Sequence, residues 1–235
     1  MKTKRVMAAV CGTMLWAGVA LGQPFDYSFT FTNGFNNGGV IPDGTPLGLT
    51  LATNLTGQFA PQQGTISAVT VGLNISGGYN GDLYAYLAGP NGGFAILLNR
   101  VGVSNNASAF GYSDSGFNVT FSAASANSIQ YYQNYTNPAG GMVSGIWQPE
   151  GVNIAPQSPP PAFLTAGQTA MLGSMDGHDA SGTWTLFLAD LSAGGQGTVE
   201  SWSLDITTVP EPSVVALLGV GIAGLGLMIR RRRTV

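Results

Sequence analysis

Hydrophobic and polar residues alternate with a period of two along much of the chain between residues 25 and 206. In residues 25–32, Phe-Asp-Tyr-Ser-Phe-Thr-Phe-Thr, four aromatic side chains fall on one face and polar side chains on the other. Because successive side chains of a strand point to opposite faces, this pattern predicts a half-buried β-strand. The same alternation recurs in residues 69–75, 83–87, 117–121, 184–188 and 202–206.

Turn-forming residues separate these predicted strands. Glycine-rich or Asn-Gly-containing turns fall at residues 77–78, 80–82, 90–93 and 194–195, and no part of the body shows a helical period. Many short strands joined by such turns are typical of an all-β protein. We therefore predict a jelly-roll-like antiparallel β-sandwich over residues 23–208.

The segment of residues 133–168 fits this pattern poorly, because it is long and contains six prolines. Two interpretations remain open. It is an irregular crossover that covers one sheet edge, with Trp147 and Phe163 packed into the sandwich, or it is a ligand-binding lid. We favour the crossover.

The first 22 residues have the organisation of a signal peptide. Lys2, Lys4 and Arg5 precede an apolar run over residues 6–20, and small residues at Ala20 and Gly22 predict cleavage before Gln23. The only cysteine of the chain lies within this segment. The mature protein is therefore expected to lack disulfides, thiol catalysis and cysteine-bound zinc.

The last 27 residues, 209–235, combine three features in a fixed order. A Pro-Glu-Pro tripeptide precedes an apolar run over residues 213–229, which predicts one transmembrane helix. The basic residues that follow hold the tail on the cytoplasmic side and leave the body outside; they are Arg230, Arg231, Arg232 and Arg233.

This order resembles the PEP-CTERM sorting signal of exopolysaccharide-producing Gram-negative bacteria. The resemblance implies that an exosortase-like processing enzyme recognises Pro210, Glu211 and Pro212, and that the helix is a transient anchor. A permanent single-pass anchor is the alternative. Signal peptidase and the exosortase-like enzyme are thus the predicted processing partners.

Charge excludes one class of partner. Between Asp26 and Glu211 the net charge is about −10, because Arg100 is the only basic residue there. Nucleic-acid binding depends on Lys and Arg displacing counterions from phosphates, so we expect no nucleic-acid partner.

Two blocks of the body resemble the P domain (P/Homo B domain) of subtilisin-like proprotein convertases. They are residues 66–92, which include Tyr-Asn-Gly-Asp-Leu at 79–83, and residues 182–204, which include Gly-Thr-Trp-Thr-Leu at 182–186. The resemblance covers residues 66–206 and implies a jelly-roll-like sandwich of about eight strands. The family's His-Thr or His-Ser pair before the turn is replaced here by residues 76–78, Ser-Gly-Gly.

The residues available for catalysis are few. His178 is the only histidine, and no Gly-x-Ser-x-Gly elbow occurs. Although the P-domain resemblance suggests association with serine endopeptidases, the protease chemistry of that family belongs to a neighbouring domain. We therefore predict that the protein is not an enzyme.

Carboxylates near one strand suggest calcium instead. Asp176 and Asp179 lie in a polar loop before the predicted strand 184–188, and Asp190 ends that strand. Oxygen ligands on turns suit Ca²⁺, whereas backbone capping by a solvated loop is the alternative. Tyrosines also offer stacking surfaces for sugars or packing surfaces within the sandwich; they are Tyr79, Tyr84, Tyr86, Tyr131, Tyr132 and Tyr135.

Two functions follow from these observations. The first is a non-enzymatic, exported cell-surface or extracellular-matrix protein, sorted through its C-terminal signal, with exopolysaccharide or another surface protein as partner. The second is an accessory module of a secreted hydrolase, or a divergent hydrolase acting on peptides or polysaccharides.

Overall fold

The computed structural model describes residues 23–60, 64–103 and 108–210. The predicted signal peptide 1–22, Glu211 and Pro212, the helix 213–229 and the arginine run lie outside these residues. Within the described part of the chain, no helix is long and apolar enough to cross a bilayer.

Nine β-strands account for most of the described chain. They are β1 Phe25–Phe31, β2 Thr45–Asn54, β3 Thr65–Gly77, β4 Leu83–Ala88, β5 Phe94–Asn99, β6 Phe117–Ser122, β7 Val143–Trp147, β8 Thr183–Asp190 and β9 Gly197–Val209. One short α-helix, α1 Pro160–Thr165, follows β7. Short 3₁₀ helices occur at Asn36–Gly39, Asn80–Asp82, Ile129–Asn134 and Leu172–Met175.

The strands form two sheets. One has five strands in the order β1-β9-β3-β6-β7, and the other has four in the order β2-β8-β4-β5. All pairs are antiparallel except β6 with β7, which run parallel. A parallel pair needs a long connection, and the 20 residues between these two strands supply one.

The core lies between the two sheets and is built by the predicted alternation. In β4, Leu83, Ala85 and Leu87 are buried, whereas the intervening side chains are half-buried. Alternating buried positions also run along β3, β8 and β9. Trp184 and Trp202 lie in this core. The structure confirms the predicted all-β sandwich of two sheets. It has nine strands, one more than the resemblance implied.

The segment 133–168 and the residues that follow it run along the free edge of β5. The N–H of Glu150 donates to the carbonyl of Leu97 at 3.2 Å, and the N–H of Gly151 donates to that of Ile96 at 3.0 Å. Trp147 and Phe163 are buried as predicted, with 5% and 4% of their surface exposed. The backbone contacts have the form of the predicted crossover that covers a sheet edge.

Candidate functional site

Three acidic residues meet at one end of the four-stranded sheet. Asp190 is the last residue of β8, and its Cα is paired with Leu83 of β4 on one side and Thr45 of β2 on the other. Asp82 immediately precedes Leu83, and Asp43 lies two residues before Thr45. The register of the sheet therefore places Asp43, Asp82 and Asp190 near one another.

The three carboxylates differ in burial and in hydrogen bonding. Asp190 has no exposed surface, and its Oδ1 accepts a 3.4 Å bond from the N–H of Ser192. Its Oδ2 is buried and has no hydrogen-bond partner. Asp82 is 9% exposed and is hydrogen-bonded by the side chain of Ser192. Asp43 is exposed and accepts from the N–H of Gly194 at 3.2 Å.

Burial and mutual repulsion perturb two of these acids. Burial raises the pKa of Asp190 to about 6; the Ser192 N–H opposes this rise, whereas the charges of Asp82 and Asp43 add to it. Burial also raises the pKa of Asp82, although the Ser192 side chain and Arg100 oppose that rise. Both carboxyl groups thus lie where negative charge is costly.

Arg100 lies near this end of the sheet, but other groups occupy its guanidinium. Its Nη2 donates to the carbonyl of Ala109 at 3.0 Å, and its Nη1 donates to that of Pro156 at 3.4 Å. Its backbone N–H donates to the carbonyl of Leu83 at 2.9 Å. Arg100 therefore holds loops together and weakens the negative field at Asp82 from a distance.

The structure does not bring together the three calcium ligands predicted from the sequence. Asp176 and Asp179 are exposed and precede β8, whereas Asp190 ends this strand of eight residues. The two ends of such a strand are about 23 Å apart at ~3.3 Å per residue. Asp176, Asp179 and Asp190 therefore cannot bind one ion together. Asp179 instead caps the backbone, because its Oδ1 accepts from the N–H of Ser181 at 2.8 Å.

Metal binding by a larger cluster finds no support in the described ranges. Among residues 23–60, 64–103 and 108–210, no group of three or more His, Cys, Asp or Glu side chains is arranged to hold a metal ion.

A buried polar network was not foreseen from the sequence. Asp114 accepts hydrogen bonds from the Tyr132 hydroxyl at 2.8 Å, the Gln133 amide at 2.6 Å and the Gly140 N–H at 2.7 Å. The side-chain amide of Asn80 also donates to the Tyr132 oxygen at 3.3 Å. These residues lie in separate segments of the sequence, around positions 80, 114 and 132–140, so no spacing signal marks them as partners.

The predicted tyrosine surfaces are mostly packing surfaces. Tyr84 and Tyr86 lie on the outer face of β4, where Tyr86 stacks on Phe187 at 5.0 Å between ring centres and contacts Phe94 at 5.1 Å. Tyr132 is fully buried. The rings of Tyr84 and Tyr86 thus pack against neighbouring side chains of the same sheet.

An uncharged cleft of about 290 Å³ opens between β1 and β2. Phe31 stacks on the buried Trp202 at one side of it, with 4.4 Å between ring centres. Asn33, Asn36 and Thr53 contribute amide and hydroxyl groups to its lining. Aromatic rings beside neutral hydrogen-bonding groups suit a hydroxylated, uncharged ligand.

The body ends directly at the predicted sorting tripeptide. Val209, the last residue of β9, is paired with Thr65, and Thr208 is paired with Phe25 at the start of β1. Pro210 follows without any intervening residue. The start of β1 and the start of the sorting segment therefore lie side by side.

Comparison with known families defines the class of the C-terminal segment. The PEP-CTERM protein-sorting motif matches residues 208–233. The sorting-signal resemblance seen in the sequence is thereby confirmed, and this motif implies export and membrane anchoring before processing by an exosortase.

Solved structures and curated proteins add little to this assignment. The chain is similar to the serine protease of Aeromonas sobria in complex with a chaperone, with 16% identity, a TM-score of 0.45, and coverage of 81% of this chain and 28% of that one. For a structure of the protease itself, the identity is 15%, the TM-score is 0.43, and the match covers 80% of this chain and 28% of that one. The match thus spans about a quarter of the protease chain. No curated protein sequence is significantly similar to this chain.

Proposed function

We propose that the protein is a non-enzymatic β-sandwich that is exported, sorted through its C-terminal signal, and retained at the cell surface or in the extracellular matrix. The observation that carries this proposal is the PEP-CTERM match at residues 208–233, which begins where β9 ends. The folded body is thus the cargo, and the segment after it is the sorting signal.

The distribution of reactive groups supports a role without catalysis. His178 lies in the loop before β8, and its backbone carbonyl accepts from the N–H of Ile66. The acids that meet at one sheet end, Asp82 and Asp190, lie at the other end of β8 from this histidine. A nucleophile, a base and a group that orients the base must lie within hydrogen-bonding reach of one another to act together. His178 and the pair Asp82 and Asp190 are too far apart to act in this way.

The cleft between β1 and β2 supports an uncharged polysaccharide as the retained partner. Its lining contains Phe31, Asn33 and Asn36 but no ionisable side chain. A body with a net charge of about −10 repels acidic polymers. A neutral, hydroxylated polymer is not repelled by the acidic body, and its binding in the cleft would bury no unpaired charge.

Replacement of the sorting tripeptide tests the proposal. In the native host, the triple variant Pro210→Ala, Glu211→Ala, Pro212→Ala should accumulate in the membrane with its arginine tail intact. The wild-type protein should start at Gln23 and lack that tail. Intact mass and membrane partition measure both, and Pro46→Ala, which changes an exposed proline in β2, is the matched control. Release of the triple variant at the wild-type rate would contradict the proposal.

The hydrolase alternative requires a separate measurement. Full-length protein is incubated with peptide and polysaccharide libraries, and products are followed by mass spectrometry. We expect no turnover. Hydrolysis that disappears in Asp82→Asn or Asp190→Asn, while the protein stays folded, would replace the proposed function with catalysis.

A further inference from the structure

One buried oxygen at the acidic end of the four-stranded sheet lacks a partner. Six side chains of the described residues have a buried atom without a hydrogen bond, and Asp190 Oδ2 is the only carboxylate oxygen among these atoms. Asp190 itself has no exposed surface. A buried carboxylate left unpaired is strongly unfavourable, so it needs a proton or a positive charge.

The neighbouring carboxylates add negative charge, which Arg100 offsets only in part and from a distance. The carboxylate of Asp82 lies close enough to interact with that of Asp190, and the charge of Asp43 acts on both. Arg100, the only basic residue of the body, donates from Nη1 and Nη2 to backbone carbonyls, and its buried Nε has no acceptor in the described part of the chain. The site therefore has a net negative charge, and among the described residues Arg100 makes its hydrogen bonds to backbone carbonyls rather than to Asp82 or Asp190.

We propose that Asp82 and Asp190 together bind one divalent cation of the calcium type, with the Ser192 hydroxyl and backbone carbonyls of the same loop available as further oxygen ligands. Both acids present hard oxygen donors, and no nitrogen or sulfur ligand lies among them. Ca²⁺ accepts six to eight oxygens in flexible geometry, including carbonyls and water, so two carboxylates are sufficient as its charged ligands.

The cation has a structural role at this position. Asp190 ends β8, Asp82 precedes β4, and residues 191–194 connect them to Asp43 through the Gly194 N–H. An ion between the two carboxylates removes their repulsion and ties the end of β8 to the start of β4. Outside the cytoplasm, where Ca²⁺ is abundant, a site with a dissociation constant of about 10⁻⁴–10⁻³ M is occupied.

Thermal unfolding of the full-length protein in detergent tests the site. With CaCl₂ as the probe, the melting temperature should rise by several degrees between EDTA and 10 mM Ca²⁺, and calorimetric titration should give one ion per chain. In Asp82→Asn and Asp190→Asn the dissociation constant should increase at least tenfold, and the melting shift should disappear. Both replacements keep the shape of the side chain, and the loss of charge repulsion should raise stability in EDTA.

Two exposed acids provide the matched controls. Asp176→Asn and Asp179→Asn lie at the other end of β8 and should bind Ca²⁺ as the wild type does. MgCl₂ at the same concentration should give a smaller melting shift, because Mg²⁺ demands a stricter octahedral geometry. A wild-type protein that neither binds Ca²⁺ nor shifts would overturn the proposal and assign the pair a shared proton. A shift that persists in Asp190→Asn would overturn it as well.

Discussion

At the scale of single residues, Glu150 makes the stability of the fold depend on pH. It is 2% exposed, and burial raises its pKa from 4.5 to about 8. The folded protein therefore holds this proton more tightly than the unfolded chain does. The stability contributed by protonated Glu150 is complete below about pH 4.5 and is lost as the pH rises towards 8.

Glu150→Gln should remove this pH dependence. Between pH 5 and 8, the variant should gain about 1.4 kcal/mol of unfolding free energy per pH unit relative to the wild type. Chemical denaturation at several pH values measures the difference, and Glu200→Gln, an exposed acid on β9, is the control. Parallel curves for wild type and Glu150→Gln would show that Glu150 ionises in the folded state at its ordinary pKa.

Asp114 should be important for stability although it is not one of the three acids that meet at the end of the four-stranded sheet. Asp114→Ala leaves the Tyr132 hydroxyl, the Gln133 amide and the Gly140 N–H without their acceptor. We expect a loss of about 2–4 kcal/mol of unfolding free energy. Urea denaturation measures it, with Asp205→Ala on the exposed face of β9 as control. Equal losses in the two variants would refute the importance of the network.

The residues of the acidic site show how far sequence reasoning reached. Asp190 lies at the strand end that the sequence indicates, but Asp176 and Asp179 lie at the opposite end of β8. Its neighbours, Asp82 and Asp43, are 108 and 147 positions away in the sequence. Only the register of β8 against β4 and β2 brings them close, and no local pattern encodes that register.

At the scale of elements, the strands that alternate were predicted and those that do not were missed. Residues 95–99 of β5 are buried on both faces, so the strand is a continuous apolar run up to Asn99 rather than an alternating one. β2 is interrupted by a register shift between Thr45 and Leu49. β7 has three exposed residues between two buried ones. Alternation marks a strand only where one face meets solvent and the register is regular.

Gly48 is the residue on which the irregularity of β2 depends. Its φ is +58°, and a Cβ there would lie 2.3 Å from the carbonyl oxygen of Leu188 and 2.6 Å from the Phe187 ring. Gly48→Ala should therefore lower the unfolding free energy by about 2–5 kcal/mol.

Gly57 separates backbone strain from the steric clash. Its φ is +76°, but nothing lies within 4 Å of an added Cβ. Gly57→Ala should cost only about 1–2 kcal/mol. Denaturant titration compares the two variants. If Gly48→Ala were no less stable than Gly57→Ala, the backbone of β2 would be able to move away from the clash without any loss of unfolding free energy.

At the scale of the whole molecule, the sorting tripeptide adjoins the folded body. Val209 is still paired with Thr65 in the sheet, and Pro210 is the next residue. An enzyme in the membrane that binds the tripeptide therefore meets the end of the sandwich. We expect a Gly-Ser spacer of six residues between Val209 and Pro210 to accelerate processing and to leave the melting temperature unchanged.

Pulse-chase labelling in the native host measures that rate. The same spacer inserted at Gly177, in the exposed loop before β8, is the control and should leave the rate unchanged. Equal rates for the wild type and the Val209–Pro210 insertion would show that the end of β9 does not hinder the enzyme.

The two-layer β architecture and the sorting signal could both be predicted from the sequence, because each depends on a pattern of residues that are close together along the chain. Alternating strands and glycine turns indicate a sandwich, and the motif at 208–233 is contiguous. The strand order could not be predicted. It depends on which edges meet after collapse, and β6 and β7 pair in parallel across 20 intervening residues. The resemblance of the body to a P domain stays a prediction.

The place of β9 has a consequence for the timing of export. This strand is the last of the body, yet it lies between β1, the first strand, and β3. A chain that crosses a membrane from its N-terminus therefore presents β1 and β3 before their shared partner has emerged. The five-stranded sheet can close only once β9 is across, so translocation of the body is nearly complete before this sheet forms. Until then, the edges that β1 and β3 present to β9 stay unpaired and open to binding by other proteins.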